Sequence, residues 1–125
     1  LGKQGEARGM MRSLFMVGPL KKRMEGALRL APCHAPAHHV LGELLWQLPG
    51  MLGGSKDVAR KELEAALACE PAYTAPYATL AEVYLEAGLK KEAAALLEKA
   101  VAVERPADPA EYHENVADLK RLLGR

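Results

Sequence analysis

The sequence predicts an all-helical chain of stacked helix pairs, and three observations carry that prediction. Half of the 125 residues are apolar, and most of these are Ala and Leu, which lose little side-chain freedom on entering a helix. β-Branched residues are few, which disfavours strands. A helical pattern of apolar residues then returns three times along the chain.

The recurring pattern is Leu20-Met24-Ala27-Pro32, then Ala59-Leu63-Ala66-Pro71, then Ala93-Leu97-Ala100-Pro106. In each copy two residues four apart are followed by Ala three further on, so all three share one helical face. The Pro then stops the helix. A second signature precedes two of the copies: Leu41-Gly42 with Leu45, and Leu80-Ala81 with Tyr84. A small residue beside a large one lets a neighbouring helix approach closely. From Ala59 to Ala93 is 34 residues, whereas Leu41 to Leu80 is 39, which places five extra residues inside the middle unit. They fall in Leu48-Pro49-Gly50-Met51-Leu52-Gly53-Gly54-Ser55.

These residues resemble the tetratricopeptide repeat, a helix-turn-helix unit with a period of about 34 residues. The best copy carries Tyr77, Leu80, Ala81, Tyr84, Gly88, Ala93, Leu97 and Ala100, with its Pro one residue late at Pro106. The middle copy carries His38, Leu41, Gly42 and Leu45 before the insertion, and the first matches only in its second helix, Pro19 to Leu30. The resemblance implies a right-handed superhelical α-solenoid of antiparallel helix pairs. It divides a single domain, 1–125, into a divergent first repeat (7–34), a second (35–72) with an inserted loop (48–55), a third (73–106) and a capping helix (108–124). Residues 1–6 are expected to fray.

Local punctuation supports this division. Gly88 stands where a left-handed helix cap is expected, and Leu89 can pack back on the helix. Asp108-Pro109-Ala110-Glu111 reads as the N-cap and first turn of a last helix through Val116, Leu119, Leu122 and Leu123. Near the N-terminus Met10, Met11, Leu14 and Phe15 predict a helix from Ala7 to Val17, which Gly18-Pro19 separates from the next. That break argues against one long membrane-surface helix built on Lys21, Lys22 and Arg23.

In such repeats the first helix of each pair lines a concave wall. The resemblance carries the groove positions to His39, Glu43, Trp46 and Gln47, and to Ala75, Ala78, Glu82, Leu85 and Glu86. The Lys, Asn and Arg with which one branch of the family grips C-terminal carboxylates have no counterpart there. The implied occupant is therefore a neutral, apolar or basic peptide. Trp46 fits two roles, helix packing beside the insertion or anchoring of a partner. The insertion also fits two, a spacer or an ordered functional loop; it is not a phosphate loop, since no Lys-Ser/Thr follows its glycines.

Chemistry finds little purchase. Cys33, His34, His38 and His39 gather metal-ligand types, but Pro32 and Pro36 make that stretch a turn, and no second half of a zinc site follows. Cys33 beside His34 is not a nucleophile pair by adjacency alone. Cys69 reads as a small packing residue in a helix, and two cysteines are too few for a disulfide framework. Glu62, Glu64, Glu92 and Glu98 read as solvated faces and His113 as a surface residue. No cofactor, metal or catalytic residue is expected.

With 17 basic and 16 acidic residues the net charge is +1, which calls for neither nucleic acid nor an anionic membrane. No apolar run is long enough to span a bilayer. The expected function is a non-enzymatic scaffold that holds a protein or peptide partner, with self-association through its apolar ends as a further possibility. Two alternatives stand beside it. One is a periplasmic accessory protein of a solute transport system, because the Leu-Pro-Gly…Gly-Gly insertion and short cap resemble bacterial transporter-associated tetratricopeptide proteins. The other is a metal-binding protein using Cys33, His34, His38 and His39. The chain opens on Leu1, so the lack of a leader says nothing about export; an exported location is weighed slightly ahead of a cytoplasmic one.

Overall fold

A computed structural model describes residues 17–125, and these are all-α, with six helices and no strand among the described residues. Helix α1 covers 17–30; α2 is Ala35–Gln47, α3 Lys56–Cys69, α4 Pro76–Glu86, α5 Lys90–Val101 and α6 Tyr112–Leu122. The expected helix from Ala7 to Val17 and the frayed residues 1–6 lie outside the described residues, apart from Val17 itself. Val17, Gly18 and Pro19 are helical, so the break expected at Gly18-Pro19 does not interrupt α1 within the described stretch. Leu20, Met24 and Ala27 are half-buried on it, while Lys21, Lys22 and Arg23 face water.

Helices adjacent in sequence pack on one another from α2 to α6, and α4 also touches α2 and α6. The periodic alanines explain how. Ala59, Ala66, Ala93 and Ala100 are all essentially inaccessible, at 0 to 1% exposure, so they sit on the inward faces of α3 and α5. Beside them the larger core residues Leu63, Leu80, Leu96, Leu97 and Leu119 form one cluster with Tyr77, Val83 and Val116. Burying a Leu fully contributes roughly 1.5–3 kcal/mol, so this cluster is the main adhesive between α3, α4, α5 and α6.

The small-beside-large signature works as sterics requires. A Cβ on Gly42 would lie 2.6 Å from Leu63 Cγ and 3.3 Å from the Ala59 carbonyl oxygen, so α2 and α3 meet where α2 has no side chain. At the matching place in α4, Ala81 is fully buried. The end of α4 also follows expectation: Gly88 has φ +78°, its N–H donates to the Leu85 carbonyl (3.1 Å), and Leu89 N–H donates to the Tyr84 carbonyl (2.8 Å). These two bonds satisfy carbonyls that the helix leaves open.

The insertion is compact. Gly50–Leu52 forms one 3₁₀ turn, and Ser55 N–H donates to the Leu45 carbonyl at 3.2 Å, closing the loop onto α2. The Ser55 hydroxyl then caps α3 by accepting from Val58 N–H at 3.2 Å. Met51 and Leu52 are exposed at its tip.

Two local expectations are corrected. Pro36 does not keep residues 32–39 in a turn. It occupies the first turn of α2, where a missing N–H costs nothing, and the turn is confined to 31–34. Asp108 does not cap the last helix, which starts at Tyr112. Its carboxylate turns the other way, onto the start of α4. It accepts from Thr74 N–H (2.9 Å), the Thr74 hydroxyl (2.8 Å), Ala75 N–H (2.9 Å) and Asn115 Nδ2 (3.2 Å). Thr74 is the buried polar residue at the centre of this clamp. The expected cap of the last helix is therefore a clamp on the two residues that precede α4.

Candidate functional site

The side chains expected to line a groove come from α2 and α4, and the structure divides them into three groups. The first is a hydrogen-bonded chain across the α2–α4 junction. Tyr73 hydroxyl stands 3.2 Å from His39 Nδ1, and His39 Nε2 stands 3.2 Å from Glu43 Oε1. The Thr79 hydroxyl donates to the same carboxylate. A tyrosine hydroxyl can donate to Nδ1 while Nε2–H donates to Glu43, so a neutral imidazole satisfies every member. Burial pushes the Glu43 carboxyl up. Hydrogen bonds from His39, Thr79 and Gln47, with the electrostatic attraction of the His39 ring, outweigh it and leave Glu43 below its ordinary value. Tyr73 is held above its ordinary value by burial and by the negative charges of Asp108, Glu111 and Glu43.

In the second group Lys56, at the start of α3, lies over the Trp46 ring, 5.5 Å from its centroid, and pairs with Glu86 at the end of α4. Trp46 is half-buried and packs against the core cluster, so packing is established for it; Gln47 beside it is exposed. Leu85 likewise packs partly on the core.

The third group lines an open trough of about 370 Å³ between α4 and α6. Its walls are Ala78, Thr79 and Glu82 from α4, with Asp118, Arg121 and Leu122 from α6. Arg121 pairs with Asp118 on its own helix. Ala78 and Glu82 are among the expected groove positions, whereas the α6 wall is not, because the last helix was expected only to cap the end of the stack. The i, i+3 pair Asp118 and Arg121 on the polar side of the Val116-Leu119 stripe was the available signal.

The wall is thus less acidic than the sequence suggests. Glu43 is committed to an internal network and Glu86 to Lys56, while Glu82 remains exposed beside the trough. A second recess, about 420 Å³, opens between α3 and α5, with Leu67, Leu80, Leu96 and Tyr77 inside and Glu64 and Lys99 among its lining. There Tyr84 hydroxyl donates to Glu64 Oε2 at 2.7 Å; burial first, then Glu64, raises Tyr84 far above its ordinary value.

The four residues with metal-ligand types are each used differently. Cys33 and Cys69 form a disulfide across 36 residues, with Cα atoms 5.3 Å apart, which corrects the reading of Cys69 as a packing residue. His34 caps α2, its Nδ1 accepting from Ala37 N–H at 3.1 Å. His38 reaches Glu62 Oε2 (2.7 Å) and the Pro32 carbonyl oxygen (2.8 Å), so Glu62 is a fastening rather than a solvated charge. Among the described residues no three His, Cys, Asp or Glu side chains come together to hold a metal ion. None of the described helices is long and apolar enough to cross a membrane.

Against known proteins, the chain matches no family model, no curated protein and no solved structure.

Proposed function

We propose that this chain is a tetratricopeptide-like scaffold that binds a partner segment along the face shared by α2, α4 and α6. The observation that carries the reading is the trough between α4 and α6. Two positions that the repeat resemblance assigns to a groove, Ala78 and Glu82, line it. Ala78 leaves room there, and Glu82 supplies an exposed negative charge, which suits an apolar peptide bearing a basic residue. The order of packing supports the same reading. Helix α4 touches both α2 and α6, and on this reading α3 and α5 are the second helices of their pairs. Right-handed stacking with α6 as cap belongs to this proposal.

The test uses the full oxidised chain against an array of short peptides graded in charge and apolar content. Binding of basic-apolar peptides, lost in Ala78→Arg and in Glu82→Lys with helicity unchanged, is the expected result. Equal binding by wild type and both variants removes the trough from the proposal. Glu43 is a poor choice for this test, because substituting it also breaks the internal network.

A second reading, an exported accessory protein of a solute transport system, draws on the Cys33–Cys69 bridge. Disulfides persist in oxidising compartments and are rare where thiol reductants prevail. Recovery of the native protein from the exported fraction with both thiols blocked to alkylation is the outcome that favours it.

A further inference from the structure

We propose that the corner between α1 and α2 is a redox-gated, pH-sensitive latch, locked by Cys33–Cys69 and, once that bridge is reduced, held by protonated His38. The argument starts from what the two ring nitrogens of His38 face. Nε2 lies 2.8 Å from the Pro32 carbonyl oxygen, which can only accept. Nδ1 lies 2.7 Å from a Glu62 carboxylate oxygen, which also accepts when ionised. Both bonds form together when both nitrogens carry a proton, so the imidazolium is the form that ties the turn at Pro32 to α3. A neutral His38 keeps one of the two. His39, one residue on, is different: its Nδ1 faces a tyrosine hydroxyl that can donate.

Among the described residues, two groups bond the His38 ring. Glu62 faces it from α3, and the Pro32 carbonyl faces it from the turn. On α2 itself His34 lies one helical turn earlier, and its sign is opposite. Its Nδ1 accepts from Ala37 N–H, so the ring form that caps α2 is the opposite of the one that makes both His38 bonds. Toward α4, the neighbouring His39 and Glu43 are paired with each other and with Tyr73 and Thr79.

The covalent lock acts on the same corner. Cys33 follows Pro32 directly and is exposed, and Cys69 is the last residue of α3. Exposed disulfides are the reducible ones, and a dithiol thiolate can reach Cys33. In the balanced step the dithiol breaks the Cys33–Cys69 S–S bond and forms its own. Two electrons and two protons pass to the cysteine pair, which leaves as two thiols. With the bridge intact, losing a proton from His38 changes little, because the corner is still fastened to α3. With it broken, the Glu62–His38–Pro32 chain is, among the described residues, the polar tie from this turn to α3, and it weakens as His38 deprotonates.

The experiment measures backbone amide hydrogen exchange of the full chain at Ala31 and His34, whose N–H groups are bonded on either side of Pro32, expressed as protection factors, at pH 5.5 and pH 8. It is run on the oxidised protein, on protein reduced with dithiothreitol, and on Cys33→Ser/Cys69→Ser. In the oxidised protein protection is the same at both pH values. In the reduced and the doubly substituted proteins it falls about tenfold from pH 5.5 to pH 8, as expected for loss of one charge-assisted hydrogen bond. In reduced Glu62→Gln the dependence vanishes, because the Gln amide donates to a neutral Nδ1 while Nε2–H keeps Pro32. Imidazole nitrogen shifts of the reduced wild type supply an independent readout, with both His38 nitrogens protonated at pH 5.5. A neutral His38 at pH 5.5, a pH-independent reduced protein, or an undiminished dependence in reduced Glu62→Gln would each overturn the latch.

Discussion

Between α2 and α3 small buried residues outnumber large ones, with Ala35, Ala37, Gly42, Ala59 and Ala66 beside Leu41, Leu45 and Leu63. Between α4, α5 and α6 the buried residues are mostly large, with Tyr77, Leu80, Leu96, Leu97 and Leu119 in one cluster. Small residues permit close helix approach but bury little apolar area, so that seam gains less from the hydrophobic effect. It is also the seam that carries a disulfide, an imidazole–carboxylate pair and a histidine cap. The C-terminal part has a different polar device, the Asp108 clamp, which fixes the order of elements already held by apolar packing. Where apolar area is scarce, covalent and polar fastenings are concentrated; where it is plentiful, they serve register.

Substitutions can break this comparison, beginning with the largest effects. Leu119→Ala empties a fully buried site in the apolar cluster and is expected to cost about 2–5 kcal/mol in urea unfolding. Removing the disulfide as Cys33→Ser/Cys69→Ser releases a loop of 36 residues and is expected to cost about 4 kcal/mol on the chain-entropy account. If the loss is under about 1 kcal/mol, the small-residue seam holds without its covalent fastening and the contrast fails. Asp108→Ala leaves Thr74 buried with the main acceptor of its N–H and hydroxyl removed, for about 1–3 kcal/mol. Its unfolding midpoint should fall while α6 remains helical by circular dichroism.

The pH dependence sharpens the comparison with smaller effects. Glu43 titrates below its ordinary value of 4.5 in the folded chain. Its contribution is complete above that value and is lost as pH falls through the lower folded value. Unfolding curves between pH 5 and 2.5 should therefore show a shallower acid loss in Glu43→Gln than in wild type. Tyr77 and Tyr84 shift the opposite way, mainly through burial. What they contribute is complete below an ordinary value of 10.0 and is lost as pH rises beyond it. Tyr84→Phe should flatten that alkaline loss, and an unchanged slope would place the Tyr84 hydroxyl in water.

Much of the fold was legible because helices declare themselves locally. The spacing of Ala59, Leu63 and Ala66, and of Ala93, Leu97 and Ala100, names the inward face before any partner is known. Gly42 and Gly88 were readable for a related reason, since close approach and a left-handed cap each admit few residue types. The candidate site was legible in part. Ala78 and Glu82 were expected in a groove and line the trough, but Asp118, Arg121 and Leu122 across it were not expected, because their position depends on how α6 docks. Glu43 and Glu86 look alike in sequence as acids on first helices. Only their neighbours distinguish an internal network from a surface ion pair.

By itself the sequence determined that the described elements are helical, which face of α3 and of α5 is apolar, and where small residues let helices meet, since these follow from periodicity and side-chain volume over a few turns. Tertiary structure alone decided that Cys33 meets Cys69, that Asp108 clamps Thr74 and Ala75, and that His38 lies between Glu62 and Pro32. Each of these joins groups that are distant in the chain or separated by a helix boundary. Their meeting is set by the packing of whole helices, which no local pattern encodes.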